Sequence, residues 1–435
     1  MKISTKIKSI AIISLGCDKN RVDTENMMYF LSDKDLIVTD DYSNADVIII
    51  NTCAFIESAR KEAVETILEM AQYKKQNCKK LIVTGCLPQL YRDKLKELLP
   101  EVDAFLGIDE YEKIYGLVIG DEDFICPPVE YKRVLSTPLH YAYLKIADGC
   151  DNHCTFCKIP SIRGKFRSRT IKSLVEETTS LVNEGVRELI LVAQDVTRYG
   201  ADIYGRPSLV KLLTALEQTD IKYIRLMYCY PELVDDELIA FIASSRKVLH
   251  YIDIPLQHVD NEVLKRMGRR SNYSSICQLF EKLRADIPDI SIRTTFMVGF
   301  PGETQQQFDR LCDFILQYKP DHIGVFAYSK EEGTPSYKLK GHIPKKEKLR
   351  RVDIIGEIAF SCAKEKNAAL VGKVVDVIYE DIDCDKERFI GRTLLDAPEI
   401  DSLVFFTGSF ADVGNMYKVK ITGYEDYDFI GEMVE

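Results

Sequence analysis

Short, uninterrupted apolar runs recur along most of this chain, and helical patterns separate them. The first three are Ile10–Leu15, Asp46–Asn51 and Lys80–Thr84, and Glu57–Lys75 after the second is rich in Glu, Ala, Lys and Met, as a helix is. Runs apolar at every position, not at alternate ones, fit strands buried on both faces, as in parallel sheets covered by helices. The alternation predicts an N-terminal α/β domain with a parallel sheet. It breaks around Cys126-Pro127-Pro128, and residues 121–138 read as a linker, because proline continues neither a helix nor a central strand.

Six more runs follow: Tyr143–Ala147, Leu189–Ala193, Tyr223–Tyr228, Tyr251–Ile254, Ser291–Val298 and His322–Tyr328. Helical stretches Ser173–Asn183, Leu209–Glu217, Asn261–Met267 and Gln306–Gln317 fall among them, and Lys345–Ala369 reads as one long closing helix. Six β/α units with right-handed crossovers predict a partial (β/α)6 barrel. From about Val371 the pattern changes to β-rich runs, Val374–Tyr379, Leu403–Phe406 and Tyr417–Ile421, which predict a small antiparallel β-barrel. The expected domains are 1–125, 136–366 and 367–435, in line with about three domains at roughly 150 residues each.

Charge is unevenly spread. The chain carries a net charge of -10, and residues 361–435 hold 8 Lys and Arg against 16 Asp and Glu, a net of -8. Such a module suits a basic partner better than a phosphate backbone, so nucleic acid is an unlikely direct substrate. The opening stretch MKISTKIKSIAIISLGC resembles a lipoprotein leader, but its apolar run Ile10–Ile13 is shorter than the ~7–15 residues such a leader needs. With no run near the ~18 apolar residues that span a bilayer, the expectation is a cytoplasmic protein without a membrane partner.

Thirteen cysteines, an odd number with several in short-spaced groups, match metal binding in a reducing compartment better than a disulfide framework. Cys150, Cys154 and Cys157 form a Cys-x3-Cys-x2-Cys group after the first barrel strand. Three thiolates there can hold three irons of a cubane and leave the fourth open. Spacing alone equally allows zinc on Cys154, Cys157 and Cys150 or His153. The position decides between them, since barrel enzymes carry their chemistry at strand carboxyl ends. Cys17, Cys53 and Cys86 each follow one of the first three strands, and in a parallel sheet those ends share one edge, so three thiols should converge. Cys78, Cys126, Cys229, Cys277, Cys312, Cys362 and Cys384 show no such pattern and read as ordinary thiols.

Cys150, Cys154 and Cys157, with Phe156 before the last, resemble the signature of the radical S-adenosylmethionine superfamily, and the two cysteine groups together resemble its methylthiotransferases. The resemblance implies two 4Fe-4S clusters and S-adenosyl-L-methionine. One cluster cleaves the cofactor to methionine and a 5'-deoxyadenosyl radical, the second carries sulfur, and a flavodoxin or ferredoxin supplies electrons. It places Phe156 near the adenine. Ser14–Asn20, Ala193–Gly200, Asp253–His258 and Asp396–Asp401 are similar to the ribosomal-protein branch of that family, despite Asp18 and Val196 where proline and threonine are common. That branch acts on the β-carbon of an aspartate in the twelfth protein of the small ribosomal subunit, and its tRNA-modifying cousins are the alternative. Asp396, Glu399 and Asp401 are then expected to contact the substrate protein. A fully ligated two-cluster electron carrier would need neither open irons nor a barrel.

Other residues carry two readings each. Gly299 and Glu303, in the turn Gly299–Thr304, suit close approach to a cofactor, but Thr304 also suits a helix cap. Gln194 and Arg225 read as cofactor contacts or as structural polar groups. The run Arg163–Arg169 reads as a solvated face or as a grip on an acidic ligand, and His258 as a barrel-mouth residue or simply a hydrogen-bonded one.

Overall fold

Helices cover both faces of the first strands, and this is why their sequences lack alternation. In the computed structural model, which describes residues 7–32, 36–121, 123–127 and 132–434, five strands form the N-terminal sheet: Ser9–Ser14 (β1), Ile37–Val38 (β2), Val47–Thr52 (β3), Lys80–Gly85 (β4) and Ala104–Phe105 (β5). Their order is β2-β1-β3-β4-β5, and every pairing is parallel. Ile48 and Ile50 of β3 enter one core and Val47 and Ile49 the other, so no position faces water. The helix after β3 runs Glu57–Ala71 and tightens to a 3-10 turn over Gln72–Lys75. Parts of the leader-like stretch (residues 1–6) and of the expected linker (122 and 128–131) lie outside the described residues.

The central domain begins with Tyr141–Lys145 (β6), Ala147–Asp148 (β7) and Arg167–Ser168 (β8), and continues with Glu188–Val192 (β9), Tyr223–Leu226 (β10), Val248–Asp253 (β11), Ser291–Val298 (β12) and His322–Ala327 (β13). Six of these form one open parallel sheet, β13-β12-β11-β10-β9-β6. The two-residue strands β7 and β8 pair antiparallel and clip the loop between them. On one sheet face Leu144, Leu191, Ile224 and Ile292 pack against the surrounding helices. On the other, Tyr143, Ile190, Val192 and Tyr251 meet Val22 of the N-terminal domain and Ala397 of the C-terminal one. Both neighbours therefore fill the concave side of the partial barrel. The closing helix is Lys345–Leu370.

The last five strands, Val374–Asp383 (β14), Arg388–Thr393 (β15), Val404–Thr407 (β16), Met416–Glu425 (β17) and Asp428–Met433 (β18), close into a barrel in the order β14-β15-β16-β18-β17. The β16–β18 pair is parallel and the others are antiparallel. An odd number of strands cannot alternate direction all the way round a ring, so an entirely antiparallel five-stranded barrel is impossible.

A buried ionic chain locks this barrel to the central sheet. Glu188 on β9 accepts from Arg225 Nε at 2.7 Å and from Arg392 Nη2 at 2.5 Å, and all three side chains are fully buried. Arg392 also reaches Glu380 at 2.8 Å, which meets His140 Nε2 at 2.9 Å. Burial would push the Glu188 carboxyl up, but the two guanidiniums hold it below its ordinary range. Glu188→Ala would leave two cations buried without their shared anion, and removing one partner of such a group costs about 3–5 kcal/mol. That loss should appear in urea unfolding, with earlier proteolytic release of residues 371–434; an unchanged midpoint would show that the chain does not lock the domains.

Candidate functional site

Strands β1, β3 and β4 run parallel, so their carboxyl ends deliver Cys17, Cys53 and Cys86 to one edge. Gly16 makes the approach possible: its φ is +93°, and a Cβ there would stand 2.7 Å from Cys53 Cβ and 3.2 Å from its Sγ. Cys17 is exposed, Cys53 half-buried and Cys86 buried. Burial pushes the Cys86 thiol up to about 12, with Arg163 opposing and Cys17 and Cys53 adding to the rise. The buried Asn20 side chain knits the three ends together. Its Nδ2 donates to Leu15 O at 3.0 Å and Thr52 O at 3.1 Å, and its Oδ1 accepts from the Cys86 thiol at 3.6 Å.

Cys150, Cys154 and Cys157 lie in the loop closed by β7 and β8. Gly149, at φ +78°, turns the chain into it. The amide of Asn152 points at Cys150 Sγ (3.5 Å) and that of Ile159 at Cys157 Sγ (3.4 Å). Tyr230 Oη lies 3.5 Å from Cys154 Sγ, and Arg269 Nη1 4.0 Å from it. Burial raises the Cys150 thiol to about 11 and Cys157 to about 12, and neighbouring thiols of the triad add to both. Such thiols ionise when they share a metal's positive charge.

The donor sets fit iron-sulfur clusters. Each offers three thiols, so a four-iron cubane held there would keep one iron without a protein ligand. Among the described residues no three His, Cys, Asp or Glu side chains close on a single ion. His153, the fourth donor a zinc site would draw on, is exposed at φ +51°.

The remaining expected site residues divide. Phe156 packs, half-buried, against the cluster of Met267, Met297, Phe300 and Tyr328. Gln194 donates to Asp148 Oδ1 at 3.1 Å and leaves its own buried Oε1 without a protein partner. Arg225 donates to Glu188 and to Leu394 O (3.0 Å), stacks 4.4 Å from the Tyr251 ring centroid, and keeps a buried Nη1 without a hydrogen-bond partner in the protein. The buried Glu303 carboxylate accepts from the amides of Gly299 and Phe300 and pairs with Arg351 at 2.8 Å, bracing the turn against the closing helix. Gly299, at φ +75°, faces the Lys348 side chain, and Thr304 caps the helix Gln305–Tyr318.

The acidic run of the C-terminal domain also acts within the chain. Asp401 accepts from Tyr251 Oη at 2.7 Å and pairs with Arg293, while Asp396 accepts from Thr393 and lies 3.4 Å from His322 Nε2. Glu399, the one partly exposed member, accepts from Arg21 Nη1 at 2.6 Å and from the hydroxyls of Tyr141 (3.1 Å) and Tyr143 (3.4 Å). These carboxylates dock the loop onto the sheet because cations and tyrosines from two other domains meet them there. The sequence could not place those partners opposite.

Family models match three stretches: the uncharacterized protein family UPF0004 over residues 9–107, the radical SAM superfamily over 144–315 and the TRAM domain over 371–434. The ribosomal protein uS12 methylthiotransferase RimO of Acetivibrio thermocellus is 45% identical over 449 residues, which cover 98% of either chain. Proteins of the same name from Clostridium tetani (45%) and Clostridium botulinum (46%) are likewise covered over 98% of both chains. The chain belongs to the RimO family. At the level of fold, it resembles the radical S-adenosylmethionine methyltransferase TsrM from Kitasatospora setae, with a TM-score of 0.57 at 15% identity over 76% of this chain and 77% of that one. The cobalamin-dependent radical enzyme OxsB gives 0.53 at 11% identity over 81% and 56%. No helix among the described residues is long and apolar enough to cross a membrane.

Asp253 and Gln257, read from the sequence only as parts of a RimO-family motif, lie at and just beyond the carboxyl end of β11. Like Gln194 at the end of β9, each holds a buried oxygen without a protein partner, Asp253 Oδ1 and Gln257 Oε1. The other Asp253 oxygen accepts from Tyr228 N at 3.0 Å, and Lys19 of the N-terminal domain sits 3.3 Å from the Tyr228 ring centroid. Burial, opposed by Arg293, pushes the Asp253 carboxyl up from 3.8 to about 6. Between those values the folded chain keeps a proton that the unfolded chain releases, so the residue's contribution to stability falls as pH rises through that window and stays low above it. Asp253→Asn is neutral throughout and should therefore stabilise the fold more above pH 6 than near pH 4, by no more than about 3 kcal/mol, read as a larger rise in melting temperature at the higher pH. Equal changes at both pH values would contradict a raised carboxyl.

Proposed function

We propose that this chain methylthiolates ribosomal protein uS12, placing the group on the β-carbon of an aspartate. Full-length identity to RimO proteins supports the substrate, and two separate three-thiol sites at the carboxyl ends of two adjoining parallel sheets carry the chemistry. Cys150, Cys154 and Cys157 would hold a 4Fe-4S cluster, and Cys17, Cys53 and Cys86 the second. When bound, the first supplies the electron that cleaves S-adenosyl-L-methionine to a 5'-deoxyadenosyl radical, and the second supplies sulfur.

The protein's own groups bind and orient. Gln194 Oε1, Asp253 Oδ1 and Gln257 Oε1 are buried acceptors at the sheet mouth. They suit a ligand rich in ammonium and hydroxyl donors, as S-adenosyl-L-methionine is, because a buried acceptor without a donor costs about 1–3 kcal/mol. Phe156, beside Cys157, would contact the adenine. The acidic C-terminal barrel favours a basic protein over tRNA. Electrons would come from a flavodoxin or ferredoxin.

The deciding experiment incubates the reduced, reconstituted protein with S-adenosyl-L-methionine and either uS12 or tRNA. Mass spectrometry should find a methylthio group on a uS12 aspartate; modification of tRNA alone would overturn the proposal. Cys154→Ala should abolish 5'-deoxyadenosine formation, as read by chromatography. Cys53→Ala should still form it but transfer no sulfur, and a Cys53→Ala protein that methylthiolates uS12 would remove the second site's assigned role.

A further inference from the structure

Arg163 ends the short helix Ile159–Arg163 behind the Cys150–Cys157 loop, and its side chain is 1% exposed. One guanidinium reaches Cys86 of the second site and Asp148 on the strand that leads into the first. Its Nη2 donates to Asn20 Oδ1 at 2.6 Å and to Asp23 at 3.1 Å, and stands 4.0 Å from Cys86 Sγ. Its Nη1 donates to Asp148 Oδ2 at 2.8 Å, two residues before Cys150, and the other Asp148 oxygen accepts from Gly149 N at 2.8 Å. The rigid planar fork of arginine is what lets one side chain serve both edges.

The contact with Asn20 matters most. By taking Oδ1, Arg163 fixes which way the Asn20 amide faces and leaves Nδ2 to hold the carbonyls of Leu15 and Thr52. Those carbonyls lie two residues before Cys17 and one before Cys53. A barrel residue thus orients the group that joins all three cysteine-bearing strand ends of another domain. The charge has a second effect. Reducing a cluster adds one negative charge, which a buried cation beside a ligating sulfur stabilises, and hydrogen bonds and net charge near the sulfurs set such potentials.

We infer that Arg163 is a positioning residue for the second cysteine site, orienting Asn20 and raising the reduction potential of a cluster on Cys17, Cys53 and Cys86 from across the domain boundary. This rests on the reading that these cysteines hold a cluster. Lys145 also pairs with both Asp23 and Asp148, so the two aspartates keep a cation when Arg163 is replaced.

The test uses the full chain with Cys150→Ala, Cys154→Ala and Cys157→Ala, reconstituted anaerobically with iron and sulfide so that only the second triad is loaded. Its midpoint is read by EPR-monitored redox titration. Arg163→Gln should move the midpoint to a more negative potential, and Arg163→Lys should recover much of the change by restoring the charge. A midpoint unchanged in Arg163→Gln, with iron content intact, overturns the inference alone. A parent that binds no cluster at the second triad overturns the functional reading and the inference with it. Should Arg163→Gln yield no folded protein, Asn20→Ser decides, because it leaves Arg163 and its aspartates in place. It should lose iron from the second triad, and full retention with an unchanged EPR spectrum overturns the inference.

Discussion

Parallel strand pairing underlies the site. In a parallel sheet every strand ends on the same edge, so residues far apart in the chain arrive together without any contact designed between them. Cys17, Cys53 and Cys86 are gathered in this way by β1, β3 and β4, and the acceptors Gln194, Asp253 and Gln257 by β9 and β11. The same pairing requires helices on both faces of each sheet. Chemistry at two sheet edges then needs only that the two edges be brought together.

Buried charge does that. Asp23 and Asp148, from two domains, share Arg163 and Lys145, and Glu188 shares Arg225 with Arg392 of the third domain. An ion pair buried between domains is directional and intolerant of slippage, because a small displacement leaves a desolvated charge unpaired. Hydrophobic contact alone, such as Val22 and Ala397 against Tyr143 and Tyr251, would hold the domains together with less control over orientation. A RimO-family chain with two cysteine sites depends on that orientation.

Much was legible in the chain before folding. All nine apolar runs became strands of the two parallel sheets, because unbroken burial leaves an unmistakable apolar pattern. The short-spaced Cys150, Cys154 and Cys157 had to be neighbours in any fold. The sequence said less about the partners of its polar residues: Arg225 and Glu303, expected near the cofactor, pair with Glu188 and Arg351, and Asp396 and Asp401, expected near the substrate protein, meet His322 and Tyr251. Their partners, which determine whether a charge is free, come from segments as far as 169 residues away.

By itself, then, the sequence determined the nine longer strands of the parallel sheets, their parallel arrangement, the two cysteine groups and the acidic character of the last domain, because local pattern and spacing encode these directly. Only the tertiary structure decided that Arg163, within a run that resembled a solvated basic face, is buried beside Cys86 and paired with Asp23 and Asp148, and that Asp253 is a buried carboxyl with an open oxygen. Burial and pairing are relations between segments. For a charged side chain no local pattern reports them, since the same residue is solvated or interior according to what the rest of the chain sets against it.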